Sequence, residues 1–124
     1  MKKKASTSPL QRSMKLLRKA GFLVEKVEHW NAFARKRHDL FGIADLLCIY
    51  NESTLAVQVT TLSHVKSHYH KLKENKNLSI LHQAGWSVEI HGWRKLKNGW
   101  KVQITTIYPK GSEYKESRND TYIQ

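Results

Sequence analysis

Apolar residues along the chain first recur at helical spacing, then gather into short strand-like runs, and repeat that change of period once more. Leu10, Met14 and Leu17 share one face of a helix. Ser8 stands where a cap is needed, Pro9 in the first turn and Gln11 where a capping box closes, and Gly21 supplies the stop. Residues 22–27 read as a first strand and residues 28–41 as a basic, aromatic loop. Residues 44–50 form a second strand, apolar enough to lie centrally in a sheet. A turn at Asn51-Glu52-Ser53-Thr54 leads to a third strand over 55–60.

Ser63 is a candidate cap for a second helix in which Val65, Tyr69 and Leu72 share a face. The periodicity falters at Asn75-Lys76-Asn77 and resumes at Leu78, Leu81 and Ala84, which predicts a break or shift before Gly85 ends the segment. Residues 86–93 read as a fourth strand, Asn98-Gly99 as a type I′ hairpin, and residues 100–107 as a fifth strand. The stretch from Leu81 to Glu89 echoes that from Leu17 to Glu25, as two helix–Gly–strand junctions obeying one capping rule. The predicted order, α-β-β-β-α-β-β, is that of an α/β domain with a mixed central sheet over residues 8–108. A flexible basic arm, 1–7, precedes it and a polar tail, 109–124, follows.

Composition narrows the partners. A chain of 124 residues, 40% hydrophobic and with four Trp, is long enough for one folded core. Its net charge is +12. In the tail Lys110, Lys115 and Arg118 balance Glu113, Glu116 and Asp120, so 19 of the 22 basic and 7 of the 10 acidic side chains lie in residues 1–108. A basic globular body implies a polyanion, and nucleic acid fits better than a membrane surface, because no segment joins length, apolarity and a basic face. Cys48 is the only cysteine, so no intrachain disulfide forms, as suits a reducing cytoplasm. Met1-Lys2-Lys3-Lys4 is followed by polar residues where a signal peptide has an apolar stretch.

The candidate chemistry lies where the second and third strands pair. Gln58, Thr60 and Ala56 share one face of the third strand, with Leu55, Val57 and Val59 on the other. Hairpin pairing brings Asp45 to the end of the third strand, beside Gln58 and Thr60. Polar groups in buried strands are costly and call for a reason. A carboxylate, an amide carbonyl, a hydroxyl and the backbone carbonyl of Val59 make a set of hard oxygen ligands suited to Mg²⁺ or Mn²⁺.

Gly42 ahead of Asp45, then Gln58-Val59-Thr60 after a strand and turn, within this element order, resembles the PD-(D/E)XK nuclease superfamily. The nearest in character are its small Holliday-junction-resolvase-like and phage-type members. The resemblance covers about residues 10–106 and implies a restriction-endonuclease-like core that hydrolyses DNA phosphodiesters, branched or duplex, with Mg²⁺ or Mn²⁺. It implies that Asp45 binds metal, that Gln58 stands at the acidic position of the E-x-K element, and that Thr60 stands at its Lys. Gln58 lacks the negative charge and Thr60 the positive one. Lys66 or Lys71, or Arg35, Lys36 or Arg37 from the loop, are candidates to restore the cation. Glu25, Glu28 or Asp39 are candidates for a second carboxylate, and Asp39, six residues before Asp45, is favoured as the further ligand. The implied setting is the cytoplasm of a prokaryote or phage-infected cell, and two-fold DNA substrates suggest a homodimer.

Other readings stand beside these. His64 and His68 have the i, i+4 spacing of a zinc pair, with no third or fourth ligand in the pattern. Residues 29–38 interleave Trp30 and Phe33 with Arg35, Lys36, Arg37 and His38, which suits phosphate contacts and base stacking, or else the rings pack beneath the loop. Trp93, Trp100 and the run from Arg94 to Lys97 read as a basic hairpin with Trp in the sheet. Function divides between a metal-dependent endonuclease, a catalytically inactive nucleic-acid-binding module that keeps the nuclease fold, and a phage interaction factor.

Overall fold

The computed structural model describes residues 7–111 and the backbone of 118–123. Ser8 caps α1 (Pro9–Lys19): its hydroxyl accepts the Gln11 N–H at 3.2 Å, and the Gln11 side chain accepts the Ser8 N–H at 3.4 Å. Gly21 leaves the helix at φ 101°, a conformation open to glycine. The chain continues through β1 (Leu23–Lys26), β2 (His29–Asn31), β3 (Lys36–His38), β4 (Leu46–Tyr50) and β5 (Ser53–Thr61). A 3₁₀ turn (Leu62–His64), α2 (Val65–Lys73) and α3 (Leu78–Gln83) then lead to β6 (Trp86–Leu96), β7 (Gly99–Ile107) and β8 (Arg118–Ile123).

Six strands form one mixed sheet in the order β1-β4-β5-β6-β7-β8. Among the described residues only β5 and β6 run parallel, and α2 and α3 make the crossover between them. Alternation along β5 divides the core in two. Ala56 packs with Val65, Leu72, Leu78 and Leu81 from α2 and α3, while Leu55 and Val57 pack with Leu17 of α1. Helices therefore cover both faces of the sheet. No helix among the described residues is long and apolar enough to cross a membrane.

The structure departs from the sequence reading at five places, the first being that Ser63 lies within the 3₁₀ turn and His64, with no side-chain cap bond, precedes α2. Residues 28–41 are not simply a loop, because β2 and β3 pair as a separate hairpin, with His29 opposite His38 and Asn31 opposite Lys36. Three-residue strands are too short to show a period. The second strand begins at Leu46, since the chain at Ala44 bridges back to Leu40 before joining the sheet. The hairpin between β6 and β7 forms, but of the two residues in the Asn98-Gly99 signal only Gly99 has positive φ, 143°, so it is not type I′. The polar tail contributes β8, which extends the sheet beside β7. An edge strand has one paired side, so its composition need not be apolar. The break expected at residues 75–77 is present between α2 and α3. The arm predicted for 1–7 lies, but for Thr7, outside the described residues.

Candidate metal and nucleic-acid site

Asp45 is fixed by its backbone before its side chain acts. Its N–H donates to the Val57 carbonyl at 2.9 Å, and its own carbonyl accepts from Val27 at 2.8 Å, which ties it to β5 and to the end of β1. The preceding turn is closed by Gly42 N–H to Asp39 O at 3.0 Å and Ile43 N–H to Leu40 O at 2.9 Å, with Phe41 and Gly42 left-handed at φ 57° and 71°. The break between α2 and α3 clamps this turn. Asn77 donates to the Phe41 carbonyl at 3.1 Å, and Asn75 reaches the Gly42 carbonyl at 3.2 Å.

The Asp45 side chain is buried, and its Oδ2 accepts the Val59 N–H at 2.7 Å and the Gln58 amide N–H at 2.9 Å. Gln58 thus offers Asp45 its donor end, the only end a carboxylate can accept. Asp39 and Glu28 complete a cluster: one oxygen from each of Glu28, Asp39 and Asp45 lies within 4.8 Å of the others. Burial pushes the Asp45 carboxyl up to about 8, and the hydrogen bond and charge of Asp39 add to this, whereas the Val59 N–H pulls the other way. These three carboxylates are the groups here that could hold a hard divalent ion, which would also offset the charge of Asp39 and Glu28 on Asp45.

The cluster opens into a cavity of about 590 Å³ between the start of α1 and the end of β5. Asp45, Glu28, Val59 and Thr60 line it, and Lys26, Arg37 and His64 bring positive or protonatable groups to its wall. Arg37 bonds Glu28 at 3.2 Å. Thr61 and the His64 ring meet at 2.7 Å. On α2, burial holds His68 below the ordinary imidazole value; Lys71 lowers it further while Asp39 opposes.

The structure therefore brings together Asp45, Gln58, Val59, Thr60 and Asp39 from the sequence reading. Glu28, one of three alternatives for the second carboxylate, joins Asp39, and Glu25 pairs instead with Leu47 along the β1–β4 ladder. Lys66 and Lys71 are exposed on α2 and neither lines the cavity. Of the loop cations, Arg37 reaches the cavity, Arg35 occupies the hairpin turn at φ 50°, Lys36 is exposed, and His38 stacks on His29 with ring centroids 5.7 Å apart. Trp30 and Phe33 do not pack beneath the hairpin, being 60% and 102% exposed.

Two features escaped the sequence reading. Lys26 shares the cavity with Glu28, two residues further on, a place hidden by the shortness of β1. A buried polar chain also joins α1 to β6: Trp93 Nε1 donates to Ser13 Oγ at 2.7 Å, Ser13 Oγ meets His91 Nδ1 at 2.9 Å, and His91 Nε2 meets Glu89 at 3.2 Å. Ser13 lies on the same stripe as Leu10 and Leu17, which was the available sign that it is buried.

Comparison with known proteins finds no matching family model, no matching curated protein and no matching solved structure.

Proposed function

We propose that the chain is a divalent-metal-dependent DNA endonuclease on a restriction-endonuclease-like core, with Glu28, Asp39 and Asp45 as its metal-holding carboxylates. The observation that carries this reading is the convergence of those carboxylates, from three places in the sequence, at one end of the β4–β5 pair in a domain of strong positive charge. A mixed sheet with helices on both faces is compatible with the α/β core that this reading requires. When bound, Mg²⁺ or Mn²⁺ supplies the orientation of a water and the balance of charge on the phosphate. Glu28 and Asp39 act as the acidic positions that Gln58 does not provide. Gln58 and the Val59 N–H hold Asp45 in place. Lys26, Arg37 and His64 on the cavity wall hold the phosphate, with Lys26 supplying the cation that Thr60 lacks. Cleavage of labelled duplex, single-stranded and four-way-junction DNA in Mg²⁺, Mn²⁺ or EDTA tests the reading, with Asp45→Ala and Glu28→Gln in parallel. Metal-dependent cutting lost in both variants supports it, and undiminished cutting by Asp45→Ala would refute it.

The changed E-x-K element favours a second reading, in which the same fold binds nucleic acid without cutting it. Salt-sensitive binding that survives Asp45→Ala, without cleavage in any metal, is its signature.

A further inference from the structure

We propose that the β2–β3 hairpin is a base-stacking wedge that directs the protein to unpaired DNA, with Phe33 at its tip as the stacking ring. The inference rests on the reading of the carboxylate cluster as a DNA-processing site. Phe33 is fully exposed and Trp30 more than half exposed on one short hairpin, a pairing that neither folding nor the core requires. The tip is held in shape: the Asn31 side-chain carbonyl accepts from the Phe33 N–H at 3.0 Å and the Ala34 N–H at 3.1 Å, and Arg35 turns the chain in the left-handed region. A preformed tip loses little entropy when it meets a ligand.

Charge and position identify the occupant. Arg35, Lys36 and Arg37 are exposed beside the rings. Aromatic faces interleaved with cations match a strand that offers base faces and phosphates together. A paired duplex hides its base faces by stacking, so the rings gain only on unpaired bases. The hairpin also grows directly out of the cluster. Glu28 precedes its first residue, Asp39 follows its last, and the stacked His29–His38 rung closes its base between them. A strand rises about 3.3 Å per residue, so the three residues of β2 carry the tip roughly 10 Å or more beyond the base of the hairpin, where Glu28 and Asp39 lie. Phe33 would engage a base at that distance from the phosphate over the cluster.

The test is binding of fluorescein-labelled single-stranded oligonucleotide and of the matching duplex, with Ca²⁺ in place of Mg²⁺, to wild type, Phe33→Ala and Phe33→Tyr. We expect Phe33→Ala to lose about tenfold or more in affinity for the single strand, with duplex binding unchanged and Phe33→Tyr close to wild type. A 2-aminopurine probe in the single strand should change its emission on wild type and not on Phe33→Ala. Equal losses on both DNAs, or no loss on either, overturns the wedge and leaves the nuclease reading standing. A wild-type protein that binds neither DNA overturns both.

Discussion

Gln58 donates its side-chain amide to Asp45 Oδ2 at 2.9 Å, and so sets a neutral donor, not a further charge, beside the three carboxylates. A glutamate at position 58 has no proton to give and would add a further carboxylate to a group of three. Gln58→Glu is therefore expected to destabilise the ion-free protein by about 1–3 kcal/mol, the cost of a buried acceptor left without its donor. The same added charge strengthens the hold on a divalent ion. Thermal melts in EDTA and in Mn²⁺ check both halves: the variant should melt below wild type in EDTA and gain more on adding Mn²⁺. Equal melting in EDTA and an equal Mn²⁺ response would show that the contact does not govern the cluster.

The raised Asp45 carboxyl gives stability a definite pH slope. Its ordinary value is 3.8 and in the folded chain it is about 8, because burial and then Asp39 disfavour the anion. Folding therefore takes up a proton, and the stabilisation is complete below pH ~4 and lost as pH rises through ~8. A divalent ion competes with that proton, so its affinity rises across the same window. Asp45→Asn keeps an acceptor for Val59 and Gln58 and a donor toward Asp39, yet does not titrate. Melting temperatures measured across this range in EDTA should fall with pH more steeply for wild type than for Asp45→Asn, and Mg²⁺ should rescue wild type alone at the alkaline end. Parallel slopes for the two proteins would remove Asp45 as the titrating group.

Most of the sheet was legible because its strands are long or strongly apolar. Capping at Ser8 and Gly21, the runs around Cys48 and Val57, and the break at residues 75–77 each carry a local signal of their own. Asp45 and Gln58 could be placed together because hairpin pairing fixes register. The β2–β3 hairpin and β8 were not legible, since short or edge strands need no apolar face. Sequence favoured Asp39 over Glu25 and Glu28 but did not show that Glu28 joins it, which depends on where a hairpin of three-residue strands points. The contact between Ser13 and His91 joins residues 78 positions apart, and only tertiary packing brings them together.

That buried chain makes its own prediction. Trp93 can only donate, so Ser13 Oγ accepts from it, and the same hydroxyl meets His91 Nδ1, whose ring carries the chain on to Glu89 through Nε2. Ser13→Ala removes the acceptor and the donor together from a site with no solvent exposure. A loss of about 1–3 kcal/mol in chemical denaturation is expected, without change in divalent-ion binding, because none of Ser13, His91 and Trp93 lines the cavity beside Asp45. Stability within error of wild type would mean that the contact contributes nothing beyond packing.

Gly42 links the helix break to the site more directly than any side chain. Its φ of 71° favours glycine, and a Cβ there would stand 3.0 Å from the Asn75 amide that donates to the Gly42 carbonyl. Gly42→Ala thus imposes a left-handed alanine, at a cost of about 1 kcal/mol, and pushes Asn75 off the turn that separates Asp39 from Asp45. Asn75→Ala with Asn77→Ala loosens the same turn without the backbone strain. Both variants should lose more of the Mn²⁺-induced rise in melting temperature than of stability in EDTA, because the turn positions ligands and contributes little to the core. If instead the Mn²⁺ response is retained in full while stability falls, the clamp serves only to join α2 and α3, and Asp39 is held by the hairpin base alone.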